Sequence, residues 1–154
     1  MRSRLFLIVL AALVYSNAKG QSTDVPNYML ASQISMMVTK LRMPVDSAAR
    51  YLTLMGQFKK TQETATDVFY GCDDYNTVID FRKNENRELQ LIICDMPTTM
   101  LSTAQKAIAM MGMIASGTAA PPGFTAYATT KYVAFLNPET RKGFLGLVLV
   151  PGTP

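Results

Sequence analysis

The chain has no histidine and no tryptophan, and only two cysteines in 154 residues. Without an imidazole it cannot build the serine or cysteine triads that use one as base. The usual zinc, copper and haem ligand sets are lost with it. Two cysteines alone cannot complete a structural zinc site. No phosphate-cradling glycine loop and no dinucleotide fingerprint occurs, so neither a metal nor a cofactor is expected. The Asn-x-Ser/Thr sequon is missing too: Asn76-Thr77-Val78 lacks the third-position hydroxyl. That favours a periplasm over a glycosylating secretory route.

Charge of one sign is also in short supply. The formal net charge is +4, but Arg2 and Arg4 lie in the first few residues, and without them 13 basic residues face 11 acidic ones. The longest basic clusters are doublets such as Lys59-Lys60, Arg82-Lys83 and Arg141-Lys142. Nucleic acid is therefore not an expected partner.

One long apolar run exists, Leu5 through Val14, behind the basic start Met1-Arg2-Ser3-Arg4 and ahead of Ser16-x-Ala18. Basic start, apolar middle and small-residue exit in that order read as a signal peptide over residues 1–18, cleaved after Ala18. The run is too short to span a bilayer, which takes about 20 residues, and no second run reaches that length, so no stable membrane insertion is expected after cleavage. The expected location is periplasmic or extracellular. Cleavage leaves 136 residues, enough for one domain with a real core. Residues 19–27 read as a polar tail and 28–154 as a single domain.

Leu30, Ile34, Met37, Val38 and Leu41 fall at helical spacing, which predicts a helix over about 28–42. Ala48, Tyr51, Leu52, Met55 and Phe58 predict a second over about 45–58, after Pro44. Export, and a second helix whose one arginine is Arg50, argue against reading the pair as a DNA-binding helix-turn-helix. Val68-Phe69-Tyr70 suggests a short strand. Thr77–Arg82 and Arg87–Cys94 alternate around Asn84-Glu85-Asn86, a hairpin pattern. Requiring one apolar and one polar face selects a three-residue loop with Asn86 left-handed. Phe81 then faces Leu89, and Arg82 faces Glu88. Leu101, Ala104, Ile108, Met111 and Ala115 predict a helix over about 98–115, stopped at Gly117. Phe124–Leu136 reads as extended and Asn137-Pro138-Glu139-Thr140 as a turn. Phe144–Val150 is apolar on both parities, which predicts a strand buried on both faces or central in its sheet. The order α-α-β-β-β-α-β-β gives an α+β fold: a mainly antiparallel sheet of four to five strands with helices on one face.

Candidate chemistry is sparse. Asp73, Asp74, Asp80 and Asp95 are the carboxylates that could do acid–base work, but Asp73-Asp74-Tyr75-Asn76 lacks calcium-loop spacing and reads as a polar turn. Cys72 and Cys94, an even pair in an exported chain, suggest a disulfide closed by a reversal at 71–75. Of eleven methionines, Met96, Met100, Met110, Met111 and Met113 crowd the third helix. Methionine there fills gaps in a core, with Met96, Met100, Met110 and Met113 the candidate partner or ligand surface and copper(I) the lesser alternative. Scarce catalytic side chains and abundant apolar helix surface point to a small non-catalytic binding protein: an adaptor, an inhibitor or immunity-type partner, or an envelope-assembly subunit. The alternative is a small carboxylate- or tyrosine-based enzyme, or an apolar-ligand carrier with a methionine-lined cavity.

Overall fold

Apolar stripes on the first two helices require something to pack against, and a broad sheet supplies it. The computed structural model describes residues 24–54 and 57–152. Helix α1 runs Asp24–Met37 and continues as a 3-10 turn, Val38–Lys40. Leu30, Ile34, Met37, Val38 and Leu41 are all buried, as their spacing requires. The helix takes in residues 24–27 of the expected tail, and the leader lies outside the described residues. Helix α2 runs Val45–Leu54, shorter than expected. Ala48 and Leu52 are buried on it, and Phe58 is buried beyond it at the approach to a strand. Met55 lies outside the described residues.

Among the described residues three α-helices and eight strands follow the order α-α-β-β-β-β-α-β-β-β-β. The class is α+β, and the sheet is nearly twice as wide as the sequence suggested. Strands β1 (Lys59–Glu63), β2 (Asp67–Cys72), β3 (Thr77–Lys83) and β4 (Leu89–Pro97) form one antiparallel meander. A 3-10 turn and helix α3 (Leu101–Met110) then carry the chain to the far edge. There β5 (Ile114–Ala115), β6 (Thr125–Ala128), β7 (Tyr132–Arg141) and β8 (Phe144–Pro151) form a second meander. It returns so that β8 pairs with β4 at the centre. Helix α3 stops earlier than expected because Gly112, not Gly117, takes the left-handed conformation (φ +69°). The Asn137–Thr140 stretch is an irregular part of β7, and the reversal occurs at Lys142-Gly143, where Gly143 has φ +82°.

Pairing sorts the sheet into two faces. Val68, Phe81, Ile92, Leu149 and Ala134 stand in one cross-strand row, and Tyr70, Ile79, Cys94, Leu147 and Leu136 in the next. Both rows belong to the core cluster shared with α1, α2 and α3. Phe81 is fully buried, with the Tyr70 ring 5.4 Å from its own.

The β3–β4 register differs from the expected one. Phe81 pairs with Ile92, Arg82 with Leu91 and Lys83 with Leu89, across a bulge that skips Gln90. The rule that one hairpin face must be polar fails because β4 is apolar on both parities. Local bonds set the turn instead. Asn84 Oδ1 accepts the Glu88 N–H at 2.8 Å, and Arg87, not Asn86, takes the left-handed conformation (φ +60°). Backbone bonds from Arg42 N to Leu89 O, Leu89 N to Met43 O and Val45 N to Arg87 O then fasten this corner to the loop between the first two helices.

Candidate functional site

The second face of the sheet carries its own row: Phe69, Asp80, Ile93, Val148, Phe135 and Ala126, on β2, β3, β4, β8, β7 and β6. None of these belongs to the helix-covered core. Leu91, Val150 and Val133 extend the apolar area along the strands. They are half-buried, as are Phe69, Ile93, Val148 and Phe135, while Val78 is 41% exposed. A side chain in the middle of a sheet is shielded by its lateral neighbours alone, which accounts for half-burial without a covering layer. Phe144–Val150 is thus central in the sheet, as one branch of the sequence reading had it, but among the described residues it is covered by helices on one face only. Contiguous apolar surface of this kind marks sites of interaction.

Asp80 stands inside that row. Its residue is 8% exposed, flanked by Phe69 and Ile93, and its Oδ1 has no hydrogen-bond partner. Burial pushes its carboxyl up to about 6, helped by the negative charge of Asp67 and opposed by Arg82. Four other charges of this face are paired, and Lys59 at its β1 edge, level with Gly71 and Val78, is exposed. Arg82 Nε donates to Asp67 at 2.8 Å, and Arg141 donates to Asp95 at 2.6 Å while lying 4.2 Å over the Phe144 ring. The Thr66 hydroxyl, then Arg82, holds Asp67 below the usual carboxylate range.

A charged cluster lies at the edge of the helix-covered face. Glu63 on β1 accepts from Lys60, from Lys83 at 2.6 Å and from Arg87 at 3.2 Å, and Arg87 also reaches Asp46 at 3.3 Å. The bond from Lys60, then that from Lys83, brings the Glu63 carboxyl down to about 2. Lys83 is 6% exposed, so Glu63 satisfies an otherwise buried cation. The cluster ties β1, β3 and the start of α2 together, and its groups are committed to one another.

The residues singled out from sequence are dispersed. Asp73 and Asp74 are exposed in a 3-10 turn, beside a shallow cleft of about 230 Å³ shared with Lys59 and Thr61. Asp80 and Asp95 share the open face as diagonal neighbours on β3 and β4, and Asp95 is engaged by Arg141. Met96, Met100 and Met113 are buried, at 0%, 8% and 5% exposure, and Met110 is 41% exposed, so the four do not form one surface. Among the described residues no group of acidic, cysteine or histidine side chains could hold a metal ion.

The expected Cys72–Cys94 disulfide is absent, and both cysteines are free and buried. The reversal does exist, as the Asp73–Tyr75 turn ending at left-handed Asn76 (φ +46°). It lays β2 on one side of β3, however, while β4 pairs on the other. Cys72 is level with Thr77 and Cys94 with Ile79, so two strand spacings and a two-residue offset put their Cα atoms about 12 Å apart. Burial pushes the Cys94 thiol up to about 12, which makes it unreactive.

No family model, curated protein or solved structure matches this chain. The open face itself is what sequence reasoning missed. Its signal was present in the double-parity apolar strands Leu91–Cys94 and Phe144–Val150, which an open apolar face produces as readily as burial on both sides.

Proposed function

We propose that the chain is exported and acts as a non-catalytic binding protein that docks a protein partner on the open face of its sheet. The observation that carries this reading is the apolar row from Phe69 to Ala126, which no described helix covers. A partner suited to it presents an apolar, uncharged centre, because the row is apolar apart from Asp80 and the Arg82–Asp67 and Arg141–Asp95 charges beside it are already paired. Export rests on the leader sequence Met1–Ala18. Among the described residues no helix is long and apolar enough to cross a membrane.

The acidic groups of the face support binding over chemistry. Asp95 is neutralised by Arg141, and Asp80 has apolar cross-strand neighbours, Phe69 and Ile93. The face is a surface where shape and desolvation give affinity. The test is the native size of the assembly containing this chain in an unfractionated extract of its compartment. Wild type should migrate in a complex, and the Phe135→Glu/Val148→Glu variant as the folded single chain. Wild type and variant migrating alike would contradict the reading.

A further inference from the structure

A cleft of about 280 Å³ opens where Leu41, beyond α1, meets the start of β7 and the end of β8. Leu41 and Tyr132 pack into the helix-covered core, so the cleft lies across the sheet from the open face. Leu41, Tyr132 and Pro151 give it apolar walls, and Arg42 and Lys131 bring two positive charges. Gly152 ties it together. Its N–H donates to the Lys131 carbonyl at 2.6 Å, and its own carbonyl accepts from Arg42 Nη2 at 3.0 Å. A Cβ here would stand 2.9 Å from the Lys131 carbonyl carbon, so the approach needs glycine. One residue thus holds the Arg42 guanidinium against the backbone that carries Lys131.

The Arg42 backbone is left-handed (φ +67°), a conformation that at the end of a helical turn falls mostly to glycine or asparagine. Residues strained in this way gather at ligand clamps. Arg87, the other left-handed arginine, has its guanidinium engaged by Glu63 and Asp46. Arg42 instead donates to one neutral carbonyl, which leaves the rest of its N–H fork free. Neither Arg42 nor Lys131 forms an ion pair among the described residues. Charge balance separates this cleft from two others. The one beside Lys59 contains Asp73 and Asp74, and the one between Lys40 and Arg50 contains Asp46. Their cations share the lining with carboxylates. Here two cations share apolar walls with none, and a concave surface of one sign concentrates the opposite ion.

We propose that this cleft binds a small organic anion, its oxyanion group (carboxylate or phosphate) held by Arg42 and Lys131 and its apolar body packed against Leu41, Tyr132 and Pro151. A guanidinium can take two oxygens of such a group side by side, and the ammonium adds a point charge. The volume is at the lower end for ligand pockets, which suits a body of about one ring. The site is independent of the docking reading of the open face.

Phenyl phosphate and benzoate, titrated into the protein purified from an exporting host and followed by amide chemical shifts, test this. At least one should bind one to one and saturably, with the largest shifts at Lys131, Tyr132 and Gly152, and the tighter of the two identifies the oxyanion. Arg42→Gln should weaken that binding at least about tenfold and Lys131→Gln about three- to fivefold. Lys142→Gln, at the opposite end of the β7–β8 hairpin, should leave it unchanged. Benzyl alcohol, a ring without the charge, and inorganic phosphate, the charge without a ring, should each bind at least about tenfold more weakly. The Lys131→Gln arm stands by itself if Arg42→Gln, which also loses its bond to Gly152, fails to fold. Saturation by neither anion at about 20 mM would overturn the proposal. So would binding that Lys142→Gln weakens as much as Lys131→Gln does, or benzyl alcohol or inorganic phosphate binding as tightly as the organic anions.

Discussion

Asp80 on β3 stands directly opposite Ile93 on β4, a carboxyl paired with a branched aliphatic side chain on the open face of the sheet. Its carboxyl, pushed up to about 6 by burial, is easier to protonate in the folded chain than in the unfolded one. The stabilisation from the neutral form is thus fully present below the unfolded value, near 4, and is lost as pH rises through about 6. The difference amounts to roughly 2–3 kcal/mol at most at neutral pH. Asp80→Asn should raise stability at pH 7 and remove the decline between about pH 4 and 6. Urea titrations across that range check it, and an unchanged or lower stability at neutral pH would contradict it.

Leu147 and Val148 are neighbours on β8 with opposite environments. Leu147 is fully buried under the helices, and Val148 is half-buried on the open face. Leu147→Ala should cost about 2–5 kcal/mol, through lost burial and a residual cavity. Val148→Thr should cost about 1 kcal/mol or less, because its hydroxyl can reach water. Comparable losses in chemical denaturation would mean that both faces are covered.

Glu63 has the opposite sign to Asp80. Its carboxyl is brought down to about 2 by Lys60, Lys83 and Arg87, so its contribution is present above the unfolded value, near 4.5, and is lost as pH falls towards 2. Glu63→Gln should lower the melting temperature at neutral pH by leaving the buried Lys83 ammonium without its carboxylate. The gap to wild type should close as the medium is acidified. A gap that persists unchanged at low pH would show that the loss is one of packing.

Cys72 and Cys94 should titrate as two free thiols once the protein is denatured without reductant, and neither should react readily while it is folded. A denatured, unreduced sample with no free thiol would require β2 and β4 to be neighbours, against the strand order.

The helices were legible because a stripe of apolar residues on an otherwise polar segment has one physical solution. Leu30, Ile34, Met37, Val38 and Leu41 all bury where their spacing put them. Strand β1 was not legible. Lys59–Glu63 is exposed along its whole length and owes its conformation to backbone pairing with β2, which leaves no apolar alternation in the sequence. The β3–β4 register was hidden for the reverse reason. With Leu91 and Ile93 as apolar as Ile92 and Cys94, hydrophobicity does not choose between registers, and the choice falls to Asn84 and the bulge at Gln90. The carboxyl of Asp80 was visible as a residue, but its burial required knowing that Phe69 and Ile93 flank it.

That the open face is where this protein meets its partner is tested most directly by a photo-crosslinking amino acid placed at Val148, with Gln105 on α3 as the control, in cells exporting the chain. Both positions should tolerate the substitution, one half-buried on the sheet and the other exposed on the helix. Illumination should convert the Val148 variant to a higher-mass adduct and leave the Gln105 variant as the free chain. Adducts from Gln105 and none from Val148 would place the working surface on the helices and contradict the account.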